Sequence, residues 1–143
     1  MSLDAEHFRA LAGYRLAMRR FMAAAESISR GAGLTQQHYQ TLLAIRAWPG
    51  ETMTIGDLAG ELLLTHHATV QLLNRMQKAG LVARTPSSTD RRQVLLQLTD
   101  DGETVLQQVA VLHMREILRQ EGQITRSLRR LRRLASGPDA LEP

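Results

Sequence analysis

The feature that most constrains this chain is one unbroken stretch, residues 54–102, where two helical periods and two strand-like runs follow each other without slack. Thr54 precedes Ile55-Gly56-Asp57-Leu58-Ala59, and a carboxylate three residues on makes it the expected start of a short helix with a near capping box. Leu58, Leu62 and Leu63 are expected on the buried side of that helix. Thr65 is expected to cap a second, longer helix in which Val70, Leu73 and Met76, with Thr69 beside them, form an inward stripe. Ala79-Gly80 supplies a glycine stop. Residues 81–84 and 94–98 are apolar runs flanking the polar loop 86–92, so they read as a β-hairpin whose tip, with Asp90-Arg91-Arg92, is exposed.

Around this stretch the chain reads as helical. Residues 3–30 place Phe8, Leu11, Leu16, Met18, Met22 and Ile28 among charges at roughly helical intervals, and Gly13 weakens that helix without ending it. Gly31-Ala32-Gly33 breaks the pattern, Thr35 caps the next helix, and Trp48-Pro49-Gly50 ends it. Residues 52–54 are expected to add a minimal strand to the hairpin. Thr99-Asp100-Asp101-Gly102-Glu103 opens a helix running to about residue 120, with Leu106, Val109, Ala110, Leu112 or His113, and Ile117 inward. Gly122 is expected to separate it from a last helix, 124–135, and the residues after 136 to fray. The predicted fold is mainly α with a small β-hairpin wing (α+β), about six helices in all. Residues 34–103 form the winged helix-turn-helix, while 1–33 and 104–143 form a helical region.

Charge narrows the function. The chain has 18 Lys and Arg against 14 Asp and Glu, and Lys78 is its single lysine. Nearly every cation is therefore a guanidinium, which grips phosphate bidentately and reads guanine edges. With no cysteine, disulfides and thiolate metal sites are excluded. No apolar run approaches the ~20 residues a membrane span needs, and the acidic start lacks signal-peptide patterning. A cytoplasmic protein without membrane partners is expected.

With Val70, Leu73 and Met76 inward, the second helix of the motif presents His66, His67, Ala68, Gln71, Leu72 and Arg75 outward. Most lie in the first two turns, the end by which a recognition helix enters a major groove. Gln71 suits adenine, Arg75 phosphate or guanine, and Ala68 or Leu72 a thymine methyl. An arginine on the hairpin tip suits a narrow minor groove, while Asp90 would meet repulsion beside phosphate and is expected to brace the loop.

These residues carry a resemblance. Leu34-Thr35, Leu42-Leu43, Ile55-Gly56-Asp57-Leu58-Ala59, His66-His67-Ala68-Thr69-Val70, Arg75-Met76, Gly80-Leu81-Val82, Arg84, and Asp90-Arg91-Arg92 followed by Leu98-Thr99 and Gly102 resemble the MarR family of winged-helix regulators across residues 8–135. The resemblance implies a homodimer whose first and last helices intertwine, bound to a pseudo-palindromic duplex operator. It also implies repression relieved by a small phenolic or anionic effector. By position it implies major-groove roles for His66, His67, Thr69, Gln71 and Arg75, wing roles for Arg91 and Arg92, and membership of Ala68, Leu72, Arg84 and Asp90 in the same surface. Leu72 departs from the polar or basic residue many members place there.

The remaining candidates are thinner. Arg15, His38, Tyr39, Arg46 and His113, with His7, are the residues available to hold an effector. His66 and His67 point about 100° apart on a helix, so they do not share a metal, and no metal or other cofactor is expected. No nucleophile–base pair, phosphate loop or metal spacing supports an enzyme. The basic helix 124–135, with Leu128, Leu131 and Leu134 among five arginines, is read as a dimer helix whose arginines meet acids such as Asp4, Glu6 or Glu26. The alternative to a DNA-binding regulator is a winged-helix adaptor that binds protein only.

Overall fold

The computed structural model describes residues 2–50, 52–90 and 92–137. Its elements are α1 (Ala5–Gly31), α2 (Gln36–Ala47), β1 (Met53–Thr54), α3 (Ile55–Leu62), α4 (His66–Lys78), β2 (Val82–Pro86), β3 (Val94–Leu98) and α5 (Asp100–Ala135). They divide into two compact units. One comprises residues 29–111, and the other residues 1–28 with 112–143.

The first unit is held together by caps the sequence spells out. Thr35 accepts from the His38 amide at 3.0 Å, and the His38 ring accepts in return from the Thr35 amide at 3.4 Å. Thr54 and Asp57 form the same reciprocal pair at 3.1 and 2.9 Å, so two orphan donors of α3 are satisfied. Thr65 caps α4 through the Ala68 amide at 3.1 Å. Gly80 takes the left-handed conformation, φ +74°, just beyond α4. The three strands form an antiparallel sheet in the order β1-β3-β2, with Met53 opposite Leu96 and Val82 opposite Leu98. Met53, Val82 and Leu96 are buried, as are Leu42, Leu58, Leu72, Leu73 and Met76. This core is aliphatic because the chain has so few aromatics.

A weld joins the hairpin to α5. The Thr99 hydroxyl donates to the Gly80 carbonyl at 2.6 Å and accepts from the Gly102 amide at 3.0 Å, while the Thr99 amide donates to the Leu81 carbonyl at 3.1 Å. A Cβ on Gly102 would stand 2.1 Å from the Leu81 oxygen, so only glycine allows this approach.

The other unit holds most of α1 and the last 24 residues of α5. Asp4 caps α1, accepting from the Glu6 and His7 amides at 2.9 and 3.1 Å. Leu3, His7 and Leu11 line one hollow with Leu131, Leu134 and Ala135.

Four expectations are corrected. Gly122 does not break α5, which runs unbroken for 36 residues. Among the described residues the helices number five. An interior glycine costs about 1 kcal/mol against alanine, too little to stop a helix flanked by strong formers. Leu63 is not on the buried side of α3: it ends that helix at φ 54° and is 92% exposed. Ile117 is about half exposed, whereas His113 takes the buried place on α5. The hairpin tip is not wholly exposed either. Ser87 is buried, and its hydroxyl accepts from the Thr89 and Asp90 amides, each at 3.3 Å. The frayed tail expected beyond residue 137 lies outside the described residues.

Candidate nucleic-acid interface

α4 is the element to which the sequence pointed, but its phase differs from the expected one. Thr69, Leu72, Leu73 and Met76 are buried, at spacing i, i+3, i+4 and i+7, and Val70 is only partly covered. Leu72 is 1% exposed, so its proposed contact with a thymine methyl is withdrawn: the side chain fills the core. Thr69 is also withdrawn, since it is wholly buried and its hydroxyl donates to the Thr65 carbonyl at 2.8 Å. That internal bond lets a polar residue occupy the core side of the stripe.

The exposed face of α4 comprises His66, His67, Gln71, Asn74, Arg75 and Lys78, with Ala68 half-buried at its edge. Asn74 and Lys78 were missed. Their signal was available, because Gln71, Asn74, Arg75 and Lys78 repeat the i, i+3, i+4, i+7 spacing once Leu72 is assigned inward. The start of α4, like that of α2, carries no acid. The first turn of α3 holds Asp57 and that of α5 holds Asp100, Asp101 and Glu103, whereas the first turn of α4 holds none. No carboxylate offsets the partial positive charge of its amides, of which Ala68 is taken by the Thr65 cap, and His66 and His67 open the helix.

The hairpin approaches this helix from the side. Thr54, Ile55 and Gly56 at the start of α3, His66 at the start of α4, and Arg92, Gln93 and Val94 of the hairpin line one open cleft of about 380 Å³. Two predicted residues, His66 and Arg92, thus share one hollow. Asp90 braces the loop as expected: its carboxylate accepts from the Arg92 amide at 2.9 Å, and its carbonyl from the Gln93 amide at 3.0 Å. Arg91 lies outside the described residues. Arg84 is half-buried, and its guanidinium donates to the Asn74 side chain, tying β2 to α4.

The residues expected to hold an effector fall into both units. In the first, Tyr39 is buried in the core, His38 belongs to the α2 cap, and Arg46 donates to Glu103 at 3.3 Å. Burial, with the Arg75 charge nearby, holds the His38 imidazole below its ordinary pKa. In the other unit Arg15 is exposed, and His113 is buried with its pKa lowered by that burial. Among the described residues no three His, Asp or Glu side chains are grouped to hold a metal ion, and no helix is long and apolar enough to cross a membrane.

A capped helix pair, a three-stranded wing and a basic exposed face on the second helix define a winged helix-turn-helix protein. The MarR family model matches residues 32–93. Among solved structures, AbsC, a MarR family transcriptional regulator from Streptomyces coelicolor, aligns with TM-score 0.76 and 25% identity over 84% of this chain and 81% of that one. Residues 32–93 thus carry a MarR-family segment, and the fold around it is shared with AbsC. The organic hydroperoxide resistance transcriptional regulator of Bacillus subtilis is 36% identical over 69 residues. That match covers 48% of this chain and 46% of the relative, less than half its length. A mutant MarR from E. coli, complexed with operator DNA, shares the fold with TM-score 0.66 and 20% identity over 85% of this chain and 89% of that one.

Proposed function

We propose that this chain is a homodimeric, sequence-specific DNA-binding transcriptional regulator that represses its targets and is released by a small phenolic or anionic ligand. The observation that carries the reading is the common exposed face of His66, His67, Gln71, Asn74 and Arg75, with Arg92 of the wing beside His66. In this reading α4 enters a major groove, Gln71 pairs with an adenine edge, and Arg75 grips phosphate or guanine. Arg92, with Arg91, follows the backbone into the adjacent minor groove.

Dimerisation is supported by the apolar surface of the helical unit, where Phe8, Met114 and Leu118 are 59%, 62% and 64% exposed. Side chains of this size, repeated along two helices, suit a protein interface better than water. A two-fold dimer would set two α4 helices about one DNA turn, ~34 Å, apart and require a pseudo-palindromic site. Release by an effector rests on the likeness of residues 32–93 to the MarR family.

Selecting genomic fragments on the purified protein tests the reading. It expects enrichment of a short inverted repeat, a footprint covering both half-sites, and loss of affinity on adding aromatic acids. Absence of any duplex affinity at low salt would overturn it and favour the protein-binding adaptor.

A further inference from the structure

The net charge of this protein is not where its reading face is. Residues 29–111 carry seven Lys and Arg and seven Asp and Glu, whereas residues 1–28 with 112–143 carry eleven and seven. The whole excess of +4 therefore belongs to the helical unit. Its densest part is the end of α5, where Arg126, Arg129, Arg130, Arg132 and Arg133 line one open hollow of about 550 Å³.

The hollow follows from helical geometry. Arg126, Arg129, Arg130 and Arg133 occupy positions i, i+3, i+4 and i+7, within roughly a 100° arc of the helix surface. Leu131 and Leu134 lie on another side and line the hollow shared with Leu3 and Leu11. The apolar side of the helix is thus engaged by the chain's own N-terminal segment, which disfavours insertion into a bilayer. Residues 122–137 contain no acid, and the ion pair between Arg130 and Glu6 spans 3.9 Å at the surface.

Such crowding needs a reason. Like charges three and four apart weaken a helix. The macrodipole rewards cations only in the last turn, which favours Arg132 and Arg133 but not Arg126, Arg129 and Arg130. Glutamine would solvate the same face without repulsion, whereas the guanidinium, used here as nearly everywhere in the chain, is the group matched to bidentate phosphate. The hollow between these side chains is open to solvent, so a ligand there would be gripped by guanidinium forks from one side.

We infer that the arginine face of α5 binds a small ligand bearing several adjacent phosphates, either inorganic polyphosphate or the phosphate chain of a nucleotide. Arg126, Arg129, Arg130 and Arg133 supply forks to successive phosphates, and Arg132 closes one side.

The test is calorimetric titration of the full-length protein at near-physiological salt with inorganic triphosphate, a nucleoside triphosphate and sulfate at matched ionic strength. Saturable binding of both triphosphates, with sulfate much weaker, is expected. R129Q/R133Q should weaken triphosphate at least about tenfold, and replacing the same two arginines with lysine should weaken it less. Circular dichroism on each variant checks that α5 remains helical. R92A, which alters the wing only, should bind triphosphate like the parent, so this result is separable from the fate of the DNA-binding reading. Sulfate binding as tightly as triphosphate, or unchanged triphosphate affinity in folded R129Q/R133Q, overturns the inference. So does triphosphate binding that appears only in E6Q, because the arginines would then belong to the chain's own acids. Tight binding of a single-stranded oligonucleotide without any triphosphate binding would assign the face to nucleic acid and overturn it equally.

Discussion

Gly102 and Leu72 show how single positions decide what this chain can be. A methyl group on Gly102 would overlap the Leu81 carbonyl, and backbone cannot yield as a side-chain tip can. Gly102→Ala is expected to lower unfolding stability by roughly 2–4 kcal/mol, read as a lower urea midpoint. Leu72 and Gln71 are adjacent in sequence but have opposite fates. Leu72→Ala should destabilise the fold by about 2–5 kcal/mol as a buried cavity mutation. Gln71→Ala should leave the urea midpoint nearly unchanged while reducing preference for the selected operator over random duplex by about 1–3 kcal/mol. If Leu72→Ala altered sequence preference with full stability, the inward phase of α4 would be wrong. The half-buried position of Arg84 was not legible, because its partner Asn74 becomes apparent only when the hairpin is laid against α4.

At the level of elements, most of the fold was written in local rules. Thr35, Thr54 and Thr65 announced three helix starts, Gly80 announced a stop, and residues 52–54 announced a strand that pairs with Leu95 and Leu96. Two elements were misread for identifiable reasons. In α4 the core stripe is Thr69, Leu72, Leu73 and Met76, so a stripe centred on Val70 turns Leu72 outward and selects the wrong phase. In α5 a glycine with ordinary helical neighbours was given the weight of a break. A Cβ at Gly122 would meet only the tip of Arg126, at 3.4 Å, so Gly122→Ala should raise stability by about 0.5–1 kcal/mol. An unchanged or lowered melting temperature would mean that the helix is not continuous there. α2 carries a pH dependence through its cap. The folded state keeps His38 neutral, with its pKa below the ordinary 6.5, so the unfolded chain takes up a proton first as pH falls. That contribution is complete above about pH 6.5 and is lost as pH drops toward the folded value. The difference in urea midpoint between pH 7.5 and 5.5 should therefore shrink in His38→Gln.

For the whole molecule, assembly is the quantity that local patterns specify least. An exposed leucine reads the same in sequence whether a second chain or solvent meets it. Leu118 is 64% exposed, and a charge there costs a monomer little. Leu118→Glu is expected to keep the helical spectrum of the parent while moving its sedimentation toward a single chain, with duplex affinity falling in parallel. Parent protein that sediments as one chain at micromolar concentration would remove the homodimer from the proposed function.

The balanced seven-and-seven composition of residues 29–111 has a kinetic corollary. Long-range attraction to a polyanion scales with overall charge, so under the proposed DNA-binding reading the +4 that draws the chain to a duplex comes from the helical unit, and the neutral winged lobe adds little of its own. On that reading, discrimination by the lobe comes from the few side chains proposed to meet base edges.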